Sequence, residues 1–243
     1  MKNTLIIIPT FNELENIQLM IDAVLNQNQY LHLLVVDDSS PDGTAEVVKN
    51  NLVRYANRLF LEEREGKQGL GTAYIHGFKW ALKRDYEFIF EMDADFSHDP
   101  NDLPDLYDVC AKQGADLVIG SRYVKGVNVV NWPMSRILLS YFASKYVRMV
   151  TRMNIHDTTA GFICYRASLL RKINLDKIKF VGYAFQIEMK FKAFLLKATI
   201  VELPVIFTDR SRGQSKMSSS IINEAVLGVM KMKMESLLGQ LEI

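Results

Sequence analysis

Continuous apolar runs recur along this chain at residues 4–8, 31–36, 59–61, 86–92 and 116–120, with helical patterning between them. A run that does not alternate with polar residues marks a strand covered on both faces. Strands alternating with helices favour a parallel sheet, so the expected class is α/β. The first helix runs to about residue 26, with Ile17, Met20, Ile21, Val24 and Leu25 on one stripe. A length of 243 residues fits one large domain or two small ones.

Polar clusters follow three of the runs, at 9–13, 37–38 and 93–95. Ligands of open α/β sheets bind beyond the carboxyl ends of strands, so three strand ends are expected to face one crevice. Asp93 and Asp95 lie two apart, which on a strand puts both carboxylates on one face. Hard oxygen ligands suit Mg²⁺ or Mn²⁺ carrying a diphosphate. The plainer reading is a polar strand end that caps the next helix, since Asp99-Pro100 looks like a helix start. Residues 66–72 carry glycines at 66, 69 and 71 but lack P-loop spacing, so a tight entry into a helix near Leu70 is expected.

Charge excludes some classes. Lys and Arg number 29 against 28 Asp and Glu, so no overall field draws the chain to nucleic acid. Cys110 and Cys164 show no metal-type spacing and fit a reduced, cytosolic setting. No signal peptide is visible, Pro9 is expected to end the first run, and no stretch reaches the roughly 20 apolar residues of a membrane span.

Four motifs occur in order: Ile8-Pro9-Thr10-Phe11-Asn12-Glu13, Val36-Asp37-Asp38-Ser39-Ser40-Pro41-Asp42-Gly43-Thr44, Gly69-Leu70-Gly71-Thr72-Ala73-Tyr74 and Met92-Asp93-Ala94-Asp95-Phe96-Ser97-His98. Further on come Gly120-Ser121-Arg122-Tyr123, Thr159-Ala160-Gly161-Phe162, residues 182–189 and residues 207–216. From about residue 3 to 220 the chain resembles the inverting family 2 glycosyltransferases of GT-A fold, in particular their dolichyl- and polyprenyl-phosphate mannosyltransferase branch. The resemblance implies transfer of mannose from GDP-mannose to a polyprenyl monophosphate. It implies that Pro9, Phe11, Glu13, Val36 and Asp38 hold the guanosine half of the donor. Asp93 and Asp95 would bind the metal, with Met92 and Ala94 lining the donor. Arg122, Arg210 and Lys216 would contact phosphates, and Arg136 and Ser140 the acceptor phosphate. Asp95, Arg122, Arg210 and Lys216 are thus the catalytic candidates. Ser97 stands where some members have a Gln metal ligand and is left out of the metal set. A phosphate acceptor is already ionised near neutral pH, so no strong base is required, and His98 is read as a loop or cap residue.

Residues 133–153 show Met134, Leu138, Phe142, Tyr146, Met149 and Met153 at helical spacing, with Arg136, Lys145, Arg148 and Arg152 as the charges. This fits a core helix, or one lying on an anionic membrane surface with its basic residues snorkelling. Residues 209–220 follow a strand expected at 199–207 and suit a lid over two phosphates. Ile222, Val226, Met230, Met234, Leu237 and Leu241 form an amphipathic C-terminal stripe able to meet the core, lipid or a small membrane-anchoring protein. The expected organisation is a catalytic domain over 1–220, including helix 133–153, and a helix over 221–243, peripheral on the cytoplasmic face of a membrane. A UDP-sugar transferase of the same fold and a non-catalytic sugar-nucleotide sensor are the alternatives.

Overall fold

The computed structural model describes residues 1–182, 184–210 and 219–243, with side chains of the last helix from Val226 onward. A seven-stranded sheet forms the centre. Its strands are β1 (Thr4–Thr10), β2 (Leu31–Asp37), β3 (Leu59–Glu63), β4 (Phe88–Glu91), β5 (Leu117–Ser121), β7 (Ile163–Arg166) and β8 (Ile200–Pro204), ordered β3-β2-β1-β4-β7-β5-β8. All neighbours pair in parallel except β7, which runs antiparallel to both β4 and β5. The expected α/β class is therefore observed, with one reversed strand inside it.

Alternate residues of β1 feed two separate cores, as the two-residue period of a strand requires. Ile6 and Ile8 pack against α1 (Leu14–Leu25), α2 (Thr44–Asn51) and α4 (Leu103–Lys112). Leu5 and Ile7 pack toward α3 (Leu70–Leu82) and α7 (Ala184–Leu195). The helix α3 lies close on the sheet because Gly77 carries no side chain: a Cβ there would stand 2.7 Å from the Ile7 side chain. The entry at Gly69 has a φ of 100°, and a Cβ on Gly71 would stand 2.8 Å from Phe185. The glycine loop thus serves the helix entry expected from sequence.

Several element ends differ from expectation. Pro9 does not end β1, which continues to Thr10 with Pro9 opposite Val36. Ile7 accepts the Met92 N–H on the β4 side, so Pro9, two residues on, faces the same side beyond the last β1–β4 pair. Its missing N–H breaks no ladder bond. The run at 86–92 is strand only over Phe88–Glu91. The expected strand at 199–207 is two pieces: β8, ending at Pro204, and β9 (Phe207–Thr208), which pairs with β6 (Val129–Val130).

The helix expected at 133–153 is α5 (Met134–Thr151), which buries only Ser144, Val147 and Thr151. Met134, Leu138, Phe142 and Met149 are exposed, so the core-helix reading fails over most of its length. α8 (Ser219–Leu237) packs on the shared core through Val229 and Met232 and leaves Leu227, Met230, Met234 and Leu237 exposed. No described helix is long and apolar enough to cross a membrane.

Candidate active site

Past Glu91, the last residue of β4, the chain turns sharply. Asp93 and Asp95 therefore owe their common direction to a turn, not to a shared strand face. Phe96 adopts a φ of 58°, the Ser97 N–H donates to Asp95 Oδ1 at 3.0 Å, and the Asp93 N–H donates to His98 Nδ1 at 3.3 Å. His98 lies in this loop, as expected, and is buried there as a pin. Its ring stacks on Phe162 with centroids 5.0 Å apart and meets Phe207 edge-on. Burial pushes its pKa down to about 4, so it is neutral near pH 7 and suited to accepting that N–H. Asp99 caps the turn of 3-10 helix that follows, accepting from the Asn101 N–H at 2.9 Å, as expected of a helix start.

Both carboxylates border a cavity of about 270 Å³. Burial pushes the Asp93 carboxyl up to about 7, and the neighbouring charge of Asp95 adds to the rise. The Arg210 guanidinium lies 3.0 Å from Asp95 Oδ2, a cation already drawn to the pair. Among the described residues no group of three or more His, Cys, Asp or Glu is placed to hold a metal. A two-carboxylate set fits an ion that completes its shell with water and substrate phosphates, as Mg²⁺ does. Beneath Asp93, the Gln186 amide donates to Glu91, and Lys190 Nζ donates to the Ala160 carbonyl at 2.7 Å. Burial pushes Glu91 up to about 7 and Lys190 down to about 8.

The far wall is cationic and aromatic. Arg122 donates through Nε and Nη2 to the fully buried Asp157 at 2.7 and 2.6 Å, and through Nη2 to Thr159 Oγ1 at 2.8 Å. The fork of Arg122 is thereby committed to the protein, which sequence alone did not suggest. Glu202 in turn accepts the His156 and Asp157 N–H groups at 2.6 and 2.9 Å, holding that loop. Arg136 and Ser140 sit one turn apart on α5, both facing the cavity. Trp132 lies between Arg136 and Arg122. The same cavity is also lined by the apolar Leu139, Ala143, Val147, Ile187 and Val226. The Tyr146 hydroxyl donates to the Val226 carbonyl at 2.9 Å and ties α5 to α8.

The residues expected to hold the donor base occupy a neighbouring region beyond β1 and β2, not this cavity. Asp37 serves the fold, accepting the Thr10 and Ser40 hydroxyls at 2.7 and 2.6 Å. Asp38 accepts Arg64 Nε at 2.7 Å and the Gln68 N–H at 3.1 Å, so it anchors the glycine loop. Glu13 precedes α1 and accepts the Asn16 amide at 3.0 Å, and the Lys67 ammonium lies 5.0 Å over the Phe11 ring. The Val36 and Met92 side chains are fully buried in the cores and Ala94 is nearly so, leaving those three only main chain to present. Pro9 is partly exposed at the end of β1. Lys216 and most of the 209–220 segment expected as a lid lie outside the described residues. Asp157 and Trp132 were not singled out from sequence, since an Asp-Thr-Thr run and a Trp-Pro pair carry no distinctive spacing, and Gln186 entered only within the 182–189 motif, without a role of its own.

A family model described as Glycosyl transferase family 2 matches residues 5–174. Polyprenol monophosphomannose synthase of Mycolicibacterium smegmatis is 45% identical over 228 residues, covering 94% of this chain and 86% of that protein. Undecaprenyl-phosphate mannosyltransferase of Micrococcus luteus is 45% identical over 225 residues, covering 93% of this chain and 91% of that protein. Among solved structures, glucosyl-3-phosphoglycerate synthase from Mycobacterium tuberculosis, in complex with Mn²⁺, UDP and phosphoglyceric acid, superposes with a TM-score of 0.69. That likeness spans 97% of this chain and 78% of the other at 15% identity, and concerns the fold.

Proposed function

This chain belongs to glycosyl transferase family 2 and has the GT-A fold, and from that premise we propose that it transfers mannose from GDP-mannose to a polyprenyl monophosphate, with inversion. The observation that carries the reading is one cavity with three chemistries. Its lining holds paired carboxylates with Arg210 beside Asp95, Arg136 with Ser140 on α5, and apolar residues of α5 and α8. A sugar nucleotide on a metal, a phosphate and an isoprenoid need those three together. The two mannosyltransferase relatives, at 45% identity, support polyprenyl phosphate as acceptor.

Asp93 and Asp95 would hold Mg²⁺ or Mn²⁺, which neutralises charge developing on the departing diphosphate. Phe11, Glu13, Asp38 and the main chain at Pro9 and Val36 hold the guanosine side, and Met92 and Ala94 line the donor. Arg136 and Ser140 hold the acceptor phosphate with one oxygen directed at the anomeric carbon. Arg122, Arg210 and Lys216 supply further positive charge for the phosphates. The acceptor oxygen attacks the anomeric carbon, the bond from that carbon to the diphosphate breaks, and GDP leaves with the electron pair. No proton has to be removed, since the attacking phosphate is ionised. His98, held neutral and packed between rings, takes no part.

The exposed apolar residues of α5 support a reading in which this opening faces a membrane surface. We assign the chain to the cytoplasmic face, with residues 1–220 as catalytic unit and 221–243, which carries most of α8, as an amphipathic segment able to dock a small membrane protein. Radiolabelled GDP-mannose with a short polyprenyl phosphate tests the reading. We expect labelled lipid, abolished by EDTA and restored by Mg²⁺ or Mn²⁺. Turnover of UDP-glucose in place of GDP-mannose would move the chain to the UDP-sugar reading that the UDP-bound structural neighbour raises. Donor binding with no transfer to any lipid phosphate would leave a sensor.

A further inference from the structure

Trp132 enters α5 from a constrained position. Pro133 follows it and opens the helix, and Asn131 before it has a φ of 64°. The side chain borders the cavity. The Arg136 guanidinium lies 4.0 Å over its ring and that of Arg122 at 5.4 Å, while Phe207 meets it edge-on at 5.2 Å. Its Nε1–H is buried and has no hydrogen-bond partner among the described residues. Buried indole N–H groups normally find a partner, because an unmet donor costs its whole desolvation.

The chemistry of that partner is narrow. An indole N–H only donates, so it takes an acceptor atom and no cation. Two guanidiniums flank the ring, so an anionic oxygen is favoured over a neutral one. Ser140 lines the same wall one turn beyond Arg136 and adds a hydroxyl. Arg136 is itself held on its other side by Asp209, with Nη1 at 2.8 Å from Oδ1. The indole face and Asp209 together restrict where that guanidinium points.

We infer that Trp132 is a phosphate-binding residue of this site: its Nε1–H donates to a phosphoryl oxygen while its ring plane aims Arg136 at the same group. The assignment rests on the reading of the cavity under Proposed function, and the contact of Trp132 with Arg136 at the entry to α5 points to the acceptor's monophosphate over the donor's diphosphate.

The chain has two tryptophans, and the other, Trp80, donates to the part-exposed Glu62 at 3.0 Å. Trp80→Phe therefore leaves Trp132 as the sole emitter. Farnesyl phosphate, a short polyprenyl monophosphate, should change the emission of that variant, and farnesol should not. Trp132→Phe keeps an aromatic face but removes the donor. Its KM for farnesyl phosphate should rise about tenfold, the scale of one lost hydrogen bond to a charged oxygen, with kcat within about twofold and GDP-mannose affinity unchanged. An unchanged KM, a loss that falls on GDP-mannose binding, or an emission change that farnesol matches would each overturn the assignment. If emission responds to farnesyl phosphate alone yet the parent transfers no mannose, the proposed function fails and the Trp132 site stands. If farnesyl phosphate leaves the emission unmoved, the Trp132 site fails whatever the parent transfers.

Discussion

Removing the Asp157 carboxylate should destabilise this protein severely, and the size follows from what it leaves behind. Asp157 is fully buried and accepts three bonds from Arg122: its N–H at 2.9 Å, Nε at 2.7 Å and Nη2 at 2.6 Å. Arg122 is 8% exposed, so Asp157→Ala strands a largely buried guanidinium without its carboxylate. Breaking one side of such a pair costs about 3–5 kcal/mol. The same pairing holds the Asp157 carboxyl below its ordinary pKa against the effect of burial. The sign then follows: the folded form binds fewer protons than the unfolded form, so this stability is complete above the ordinary carboxylate pKa of 3.8 and is lost as pH falls through the lower folded value. Urea unfolding at pH 7 is the assay, with midpoint and slope both fitted. Arg122→Met/Asp157→Leu, which removes both charges, should cost less than Asp157→Ala alone. A single-mutant loss below about 1 kcal/mol, or a double mutant costing the sum of its parts, would refute the reasoning.

Leu138→Glu/Phe142→Glu should weaken flotation with anionic liposomes while GDP-mannose affinity stays at the parent value, because both residues are exposed on α5; flotation equal to the parent would locate membrane contact elsewhere. Gly71→Ala places a Cβ 2.9 Å from the Phe180 carbonyl, so it should cost about 1–3 kcal/mol by overpacking and lower the thermal midpoint; an unchanged midpoint would show that α3 shifts freely. Burial, followed by the charges of Asp99 and Asp105, pushes Asp102 up to about 6, so its contribution is favourable below pH 3.8 and lost as pH rises through 6. Asp102→Asn should therefore raise stability at pH 7.5, by on the order of 1 kcal/mol once screening at this part-exposed site is allowed for, and leave it unchanged at pH 4; unfolding curves at the two pH values decide.

What sequence made legible was local. The unbroken runs of β1, β2 and β5 announced a buried sheet, since each needs apolar residues on both faces. Asp93 and Asp95 were legible as a pair because they follow such a run. Their actual placement was not, because it depends on His98 and Ser97 closing a turn that no periodicity encodes. The reversed strand β7 and the split at Pro204 and Phe207 depend on partners some 40 to 80 residues away, beyond any local pattern. Asp157 escaped for the same reason: its role is set by Arg122, 35 positions earlier. The exposure of α5 could be posed but not decided, because its stripe serves a core or a lipid surface equally until the facing elements are known.

The reversed strand β7 has a consequence for how the molecule comes off the ribosome. β1 to β4 assemble from the first 91 residues, but β4 gains its outer neighbour only when residues 163–166 arrive. At elongation rates of about 5–20 residues per second, roughly 4 to 15 seconds separate the two. During that interval β4 is an open edge carrying the Asp93–Asp95 turn, with Phe162, the ring that pins His98, still unmade. A nascent chain halted before residue 160 would present a half-sheet with a hydrophobic edge, the kind of surface that is prone to aggregate. Vectorial synthesis thus builds the framework first and completes the packing around the Asp93–Asp95 turn last.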